Sequence, residues 1–277
     1  MRGLSKTNAL LLALCFLVNA ACIVDDLYGA DRKSSRGAPP PSVNPPPASV
    51  PPADGGAGTG GTGGPVGFNA MSVSDGVVNA DYWINVPAPV DASTPTPVLY
   101  VYHGQGGNGQ QYTQLWIPES DAGDFIVAGL SSQGEGWNFD TDLTATNLMI
   151  EEIDALYNID TDRRYLMGYS AGAHWTHAVA LSNSQFFAAY GVVAGAMEAT
   201  GVTPAAAVRK IPAAIVHRQD DAVVPFSFGE ANAAALEAAG HIVYTNFPAV
   251  GGHMYYPNED NPFIWESIEG HTLQNPP

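Results

Sequence analysis

One short stretch of the sequence forces a strand to turn directly into a helix. Residues 168–172 read Gly-Tyr-Ser-Ala-Gly, after the short apolar segment 164–167 and before the helix-forming segment 171–181. In such a Gly-x-Ser-x-Gly elbow the serine takes a strained backbone conformation, for which the two glycines leave room. Its hydroxyl then stands clear of the sheet edge, beside the free N–H groups at the start of a helix. The pattern therefore predicts Ser170 as a nucleophile.

A serine hydroxyl attacks only with a base beside it and an acid that orients the base. The strand-like segment 214–217 runs into a loop with Asp220 and Asp221, and the strand-like segment 243–247 runs into a glycine-lined loop with His253. We predict His253 as the base and one of the two aspartates as the acid. The chain order serine, aspartate, histidine is the order expected of an α/β-hydrolase.

Negative charge that develops during such an attack needs two backbone N–H donors. Ala171, directly after the serine, supplies the first. A second comes from the loop His-Gly-Gln-Gly-Gly at 103–107, which follows an apolar strand and whose glycines let the backbone approach a substrate closely. Gln105 is the preferred donor and Gly106 the next, while His103 is expected to hold this loop through side-chain hydrogen bonds.

Four segments together resemble a known group of enzymes. The sequences HGQGG at 103–107, GYSAGA at 168–173, HRQDDAVVP at 217–225 and GGHMYYP at 251–257 are similar to those of α/β-hydrolase esterases. That group includes feruloyl esterases, acetylxylan esterases and extracellular polyhydroxybutyrate depolymerases. The stretch 158–165 also resembles the one that leads into their elbow strand, so the resemblance extends over most of the chain, about residues 70–270.

The resemblance selects one of the two aspartates. In those enzymes the acid usually comes four residues after a His-Gly pair and just before Val-Pro, a position that Asp221 matches and Asp220 does not. Two positions differ from the usual pattern: Arg218 stands where glycine is usual, and Gln105 stands where glycine or cysteine is common. The resemblance implies a serine esterase that needs neither a metal nor an organic cofactor.

Strands alternate with helical segments along the chain, which predicts the α/β class and the α/β-hydrolase fold: a mostly parallel central sheet with helices on both faces. No insertion is long enough for a large cap domain, so the site is expected to be open to a bulky or polymeric substrate. The predicted strands are 77–79, 81–86, 98–102, 125–130, 164–167, 190–194, 211–216 and 242–247, and the predicted helices are 110–116, 144–157, 171–181 and 228–239.

Aromatic and glycine residues near these motifs are candidates for substrate contact. Trp137 lies in a glycine-rich loop after a strand, on the edge where ligands bind in such sheets. A flat indole suits a sugar ring or an aromatic acyl group, but an aromatic side chain that fills the core is the alternative. Gly106 and Tyr169 are further predicted contacts, and Tyr255 and Tyr256 are weaker candidates.

The N-terminus reads as an export signal. Arg2 and Lys6 precede the apolar run 9–18, and small residues then precede Cys22. Residues 1–21 are therefore predicted to be a bacterial lipoprotein signal peptide whose cleavage leaves Cys22 lipidated, with ordinary signal cleavage as the alternative. We expect an outer-membrane or cell-surface lipoprotein, or otherwise a secreted or periplasmic protein.

The segment after the signal changes composition sharply. Residues 37–67 are almost entirely Pro, Gly, Ala, Ser and Thr, which cannot bury enough apolar surface to fold. We predict a disordered tether over residues 22–67 and one catalytic domain over residues 68–277. Because Cys15 lies in the signal and the chain has 2 cysteines, no internal disulfide is expected in the exported protein.

The net charge and the spacing of possible metal ligands limit which binding partners are expected. The chain carries 27 Asp and Glu against 10 Lys and Arg, a net charge of −17, which argues against nucleic acid and favours neutral substrates. His174 and His177 lie three residues apart in the helix after the elbow, but no carboxylate accompanies them at ligand spacing, so we expect no metal site. A monomer is expected, with membrane contact only through the lipid anchor.

These patterns converge on two-step acyl transfer by Ser170, His253 and Asp221. The resemblance implies esters of plant cell-wall polysaccharides, carrying feruloyl or acetyl groups, as substrates. Alternatives are a polyhydroxyalkanoate depolymerase, a serine peptidase, and a surface-tethered binding module without catalysis. The complete set of site residues argues against the binding module, and the expected open site argues against an oligopeptidase.

Overall fold

A computed structural model of the chain describes residues 56–88 and 90–274. The predicted signal peptide, Cys22 and the first part of the predicted tether lie outside these residues and stay predictions. Within the described ranges, no helix combines the length and the hydropathy needed to cross a membrane.

The described residues form one eight-stranded mixed sheet. In chain order its strands are β1 (Gly67–Ser74), β2 (Asn79–Val86), β3 (Thr96–Tyr102), β4 (Ile126–Leu130), β5 (Ile159–Tyr169), β6 (Ala189–Val193), β7 (Ala213–Val216) and β8 (Val243–Asn246). Their spatial order is β1-β2-β4-β3-β5-β6-β7-β8. β2 pairs antiparallel with β1 and β4, and every other pair is parallel, so the carboxyl ends of β3 to β8 meet at one edge.

Helices cover both faces of this sheet. They are α1 (Gly109–Gly123), α2 (Asp142–Leu156), α3 (Ala171–Ser182), α4 (Phe226–Ala238) and α5 (Pro257–Ile268). One core layer joins alternate strand residues to α2, α3 and α4, and the other joins the remaining strand residues to α1 and α5. Strands that are buried on both faces have continuous apolar sequences. The central strands could therefore be predicted from the sequence. The predicted α/β-hydrolase fold is confirmed.

Two elements differ from the prediction at the start of the sheet. Residues 77–79 were predicted to be the first strand, but Val77 and Val78 lie in a turn whose N–H groups both donate to Asp75 Oδ1. The first strand is β1, whose partly exposed edge position leaves it without a clear apolar alternation. An Asx turn of this kind competes locally with strand pairing. Val77 and Val78 therefore lie in the turn of the β1–β2 hairpin instead of in a strand.

Two helices differ as well, and proline is the reason in both. The prediction missed α5, which begins at Pro257 and contains Pro262. It also stopped the first helix at Trp116, although α1 continues past Pro118. Pro257 lies in the first turn of α5, where proline is well accommodated because its missing N–H needs no intrahelical partner. Pro118 and Pro262 lie inside their helices, where proline normally argues against a continuing helix, so the sequence predicted an end there.

The predicted tether, residues 22–67, is wrong over its last part. Residues 56–66 run along the start of β5: the N–H of Thr59 donates to Ile159 O and its hydroxyl accepts from the Ile159 N–H, both at 3.0 Å. Gly61 passes so close that a Cβ there would lie 2.5 Å from main-chain atoms between α2 and β5. Backbone hydrogen bonds and close glycine packing hold this segment, which its lack of apolar residues did not reveal.

Candidate active site

The elbow between β5 and α3 holds Ser170 in the strained conformation that its sequence predicted. Ser170 has φ 52° and ψ −119°, and its N–H donates to Val193 O at 2.9 Å. A Cβ on Gly168 would lie 2.1 Å from Gly172 O, and a Cβ on Gly172 would lie 2.2 Å from Tyr102 O. Helix and strand can approach this closely only because both positions are glycine.

Three side chains from separate loops meet at the elbow. His253 Nε2 lies 2.8 Å from Ser170 Oγ, and His253 Nδ1 lies 2.8 Å from Asp221 Oδ2. A carboxylate only accepts hydrogen bonds, so Nδ1 carries the imidazole proton and Nε2 accepts from the serine hydroxyl. The structure thus brings the predicted nucleophile, base and acid into one hydrogen-bonded chain.

Asp221 is buried and fully hydrogen-bonded. Its Oδ1 accepts from the N–H groups of Val223 and Val224, each at 2.9 Å, while His217 Nε2 lies 3.5 Å from Oδ2. Burial by itself acts to raise the pKa of Asp221, but the nearby His217 and the hydrogen bonds from His253 and the backbone outweigh it and lower the pKa to about 2. The carboxylate therefore stays charged beside the imidazole.

The neighbouring aspartate has a different place. Asp220 Oδ1 accepts from the N–H of Gly252 at 2.7 Å, and its Oδ2 accepts from the N–H of Gly251 at 3.2 Å. Both glycines have positive φ, 62° and 132°, so the chain turns sharply just before His253. The structure brings Asp221 to the imidazole and leaves Asp220 holding the turn.

Two backbone N–H groups lie at the positions predicted for the oxyanion donors. Ala171 is the first residue of α3, so its N–H has no partner within the helix. In the loop 103–107, Gly106 donates its N–H to Glu135 O at 2.9 Å and is therefore engaged. No acceptor in the described part of the chain takes the N–H of Gln105, whose role as an oxyanion donor stays a prediction.

The side chain of His103 holds the loop 103–107 in place. Its Nδ1 donates to Gly104 O at 2.7 Å, and its Nε2 accepts from the N–H of Ser132 at 3.0 Å. Burial lowers the pKa of His103, so the ring stays neutral and keeps one donor and one acceptor. These are the side-chain hydrogen bonds that the sequence led us to expect.

Trp137 also supports the loop 103–107. Its Nε1 donates to His103 O at 2.9 Å. The indole stacks on Trp175, with ring centres 5.6 Å apart, and meets the edge of Tyr102 at 5.0 Å. Trp137 is half-buried, so it packs as an aromatic core residue without being fully enclosed. Substrate contact by Trp137 stays a prediction.

Tyr169 and the loop after β8 form an aromatic stack beside the imidazole. The Tyr169 hydroxyl donates to His253 O at 2.8 Å. Its ring stacks with Tyr112 from α1 and with Tyr255, at centre distances of 6.2 and 5.8 Å. Tyr169 therefore supports the histidine in this structure, and its predicted substrate contact stays untested. Tyr256, next in the chain, is 38% exposed.

The sequence reasoning gave no role to Tyr112 or His217. Tyr112 touches the stack only because α1 folds back over the sheet, and nothing local in the sequence marks it. His217 donates from Nε2 to Val224 O at 2.8 Å and so closes the loop that carries Asp221. A histidine directly after a strand and four residues before the acid was the available signal for it.

The two histidines of α3 form hydrogen bonds within the fold. His174 Nδ1 accepts from the N–H of Ala196 at 2.8 Å, and His177 lies 3.2 Å from the Tyr190 hydroxyl and 3.3 Å from the Asn232 amide. Burial lowers the pKa of His174 to about 4 and that of His177 to about 3, so both rings are neutral. Across residues 56–88 and 90–274, no cluster of three or more His, Cys, Asp or Glu side chains could bind a metal ion.

Sequence comparison finds esterases. The chain is 25% identical over 186 residues to a probable feruloyl esterase C of Aspergillus flavus, covering 62% of this chain and 67% of that protein. It is 29% identical over 151 residues to a bifunctional acetylxylan esterase/xylanase of Neocallimastix patriciarum, covering 52% of this chain and 22% of that one. No protein-family profile matches the chain.

Structure comparison finds the same fold. The CE1 ferulic acid esterase of Anaeromyces mucronatus superposes with a TM-score of 0.61 at 15% identity, over 75% of this chain and 92% of that chain. An arylesterase superposes with a TM-score of 0.58 at 15% identity, over 75% and 86% of the two chains. Both comparisons agree with the sequence-based interpretation: the chain has the α/β-hydrolase fold, and its sequence is similar to those of esterases.

Proposed function

We propose that this chain is an exported serine esterase that cleaves carboxylic esters through an acyl-enzyme on Ser170. The observation that carries the proposal is the continuous chain of hydrogen bonds from Ser170 Oγ through His253 to Asp221, with both distances at 2.8 Å. This arrangement can remove the serine proton at the moment of attack, which is the requirement for a hydroxyl nucleophile near neutral pH.

In the first step, Ser170 Oγ attacks the ester carbonyl carbon while His253 Nε2 takes the hydroxyl proton. Asp221 stabilises the imidazolium that forms and keeps Nδ1 facing away from the serine. The N–H groups of Ala171 and Gln105 are the proposed donors to the oxyanion, and loss of one such donor costs about 3 kcal/mol of transition-state stabilisation. His253 then gives its proton to the departing alcohol oxygen, leaving the acyl group on Ser170.

In the second step, water repeats the sequence. His253 takes a proton from the water as its oxygen attacks the acyl carbonyl carbon, and the same N–H groups stabilise the second oxyanion. Proton transfer back to Ser170 Oγ releases the carboxylic acid and restores the starting state. Every proton moves through His253 Nε2, so neither a metal nor an organic cofactor has a part in the cycle.

The proposed substrates are feruloyl or acetyl esters of plant cell-wall polysaccharides. The sequence relatives named above are a probable feruloyl esterase and a bifunctional acetylxylan esterase/xylanase. Within the described residues, the loops at the carboxyl edge of the sheet carry no helical insertion beyond two short 3₁₀ helices, Met197–Thr200 and Pro204–Ala206, which leaves room for a polymer. The net charge of −17 suits a neutral polysaccharide better than a polyanionic one.

A fluorophosphonate probe tests the chemistry. We expect covalent labelling of the wild-type chain, none of Ser170→Ala, and normal labelling of Ser93→Ala, which alters an exposed turn serine away from the site. Labelling that persists in Ser170→Ala contradicts the proposed nucleophile. An unlabelled wild-type chain points instead to a binding module without catalysis.

A substrate panel then tests the specificity. Turnover of methyl ferulate and acetylated xylan is expected to exceed that of polyhydroxybutyrate films and of peptide anilides at equal enzyme concentration. Preference for the polyester identifies a depolymerase, and preference for the anilides identifies a peptidase. Either result overturns the proposed substrate class while leaving the proposed nucleophile intact.

The proposal includes export through the N-terminus. Residues 1–21 are the proposed signal peptide, and Cys22 is the proposed lipidation site, which gives an outer-membrane or cell-surface enzyme. Expression of the full chain in a bacterium, with fractionation and mass spectrometry of the mature N-terminus, tests this. Release of Cys22→Ser from the membrane fraction supports the anchor, and an unmodified wild-type N-terminus contradicts it.

A further inference from the structure

Arg218, which stands where similar esterases usually have glycine, is buried beneath the loop that carries the histidine. We call that loop, residues 248–256, the histidine loop. Arg218 is 2% exposed and forms a two-pronged ion pair with Asp260 of α5: Nη2 lies 2.8 Å from Oδ1, and Nη1 lies 3.0 Å from Oδ2. Asp260 is fully buried as well. A planar guanidinium pair of this kind fixes direction as well as distance.

The histidine loop is wrapped around this guanidinium. Arg218 Nη1 also donates to Met254 O at 3.2 Å, directly after the histidine. The guanidinium carbon lies 4.4 Å from the centre of the Tyr256 ring. On the other side of the histidine, a Cβ on Gly251 would lie 2.9 Å from Arg218 Cδ. One side chain therefore touches the loop both before and after His253.

The other attachments of the histidine loop lie on both sides of the histidine. Asp220 binds the two glycine N–H groups before it, and Tyr169 binds the carbonyl of His253 itself. After the histidine, the N–H of Tyr256 donates to Asp260 Oδ2 at 2.9 Å, so this attachment uses the carboxylate that Arg218 holds. Tyr255 is held separately, by its ring stack and by a hydrogen bond from its hydroxyl to Asn261 Oδ1. The Arg218–Asp260 pair thus anchors the backbone of the loop at Met254 and Tyr256.

We propose that Arg218 is a positioning residue for the general base. Paired with Asp260, it holds the histidine loop at the position from which His253 Nε2 reaches Ser170 Oγ. The proposal rests on the proposed function of His253. It assigns a reason to the departure from glycine at this position, since a glycine would leave Asp260 without its partner and the loop without its central support.

The first test compares kcat and KM for a small p-nitrophenyl ester. Displacing a catalytic group by an ångström lowers the chemical rate about 100-fold, so Arg218→Gly is expected to lower kcat by about 10- to 100-fold with little change in KM. Arg218→Lys, which keeps the charge and loses the two-pronged geometry, is expected to fall between Arg218→Gly and wild type. Arg209→Gly is the matched control, because Arg209 also binds backbone carbonyls but does so where β6 begins, at the opposite edge of the sheet.

The second test is chemical rescue. Removing the Arg218 side chain leaves a buried space facing the Asp260 carboxylate, and guanidinium at low, non-denaturing concentration is expected to enter it. We expect guanidinium to restore kcat and the rate of Ser170 labelling by a fluorophosphonate in Arg218→Gly, while sodium and urea at the same concentrations do not. The double variant Arg218→Gly/Asp260→Asn removes the charge that attracts the cation, so no rescue is expected there.

Each outcome separates this proposal from the proposed function. A wild-type chain that is not labelled at Ser170 overturns the proposed function itself. A labelled wild-type chain with folded Arg218→Gly at wild-type kcat, or with a loss confined to KM, overturns only the role of Arg218. Should Arg218→Gly not fold, Arg218→Lys and the double variant carry the comparison, and wild-type kcat in both overturns the positioning role.

Discussion

Asp220 and Asp221 are adjacent in the chain and hold the same loop by different groups. Asp221 binds the imidazole of His253 through Oδ2, whereas Asp220 binds the N–H groups of the two glycines just before that histidine. One carboxylate therefore orients the ring, and the other fixes the turn that delivers it. This division explains why both aspartates look like candidates for the acid in the sequence.

The two aspartates are expected to differ strongly on substitution. Asp221→Asn removes the acceptor that fixes the histidine tautomer, which lowers kcat by about 10⁴-fold in a serine triad. Asp220→Asn keeps one acceptor oxygen for the glycine turn, so we expect a loss of about threefold or less, consistent with a partly kept neutral hydrogen bond. Steady-state kcat on a small ester measures both, and a larger loss for Asp220→Asn contradicts the assignment.

Asp221 is also expected to make stability depend on pH. Although burial acts to raise its pKa, hydrogen bonds lower it from 3.8 to about 2. A folded pKa below the unfolded one means that the ionised group stabilises the fold fully above about pH 4 and loses this effect as pH falls through about 2. The contribution is about 2 kcal/mol. Urea unfolding of wild type and Asp221→Asn across this range measures it, and a stability difference that stays constant with pH contradicts it.

Substitution of Trp137 distinguishes support of the loop 103–107 from contact with the substrate. Trp137→Phe keeps an aromatic ring but loses the hydrogen bond to His103 O, worth about 1 kcal/mol, so kcat should fall about fivefold on every ester, small or large. A residue that only contacts substrate would instead raise KM for feruloyl or sugar esters and leave p-nitrophenyl acetate unchanged. Parallel kinetics on methyl ferulate and p-nitrophenyl acetate distinguish the two roles.

The candidate site could be named from the sequence because each of its main residues follows a strand within a local pattern. Ser170 lies in the elbow, and Asp221 and His253 each follow a short apolar segment. Carboxyl ends of neighbouring parallel strands meet at one edge, so such residues converge once the fold is assigned.

The groups that support these residues could not be found in the same way. Tyr112 meets Tyr169 and Tyr255 only through the placement of α1 and α5, and α5 was hidden by its prolines. Arg218 finds Asp260 at a separation of 42 residues. Such contacts depend on tertiary packing between distant elements, for which neither periodicity nor spacing gives a signal.

The close approach of α3 to the sheet at the elbow is expected to be sensitive to a single methyl group. In Gly168→Ala the new Cβ would lie 2.1 Å from Gly172 O, a backbone atom that can move only by shifting the helix. We expect a loss of about 3 kcal/mol in the free energy of unfolding, from overpacking. Gly136→Ala is the matched control, because a Cβ there meets no atom within 4 Å, and a change within about 0.5 kcal/mol is expected. Urea denaturation of both variants decides the matter, since equal stabilities would mean that helix and strand are not in contact at the elbow.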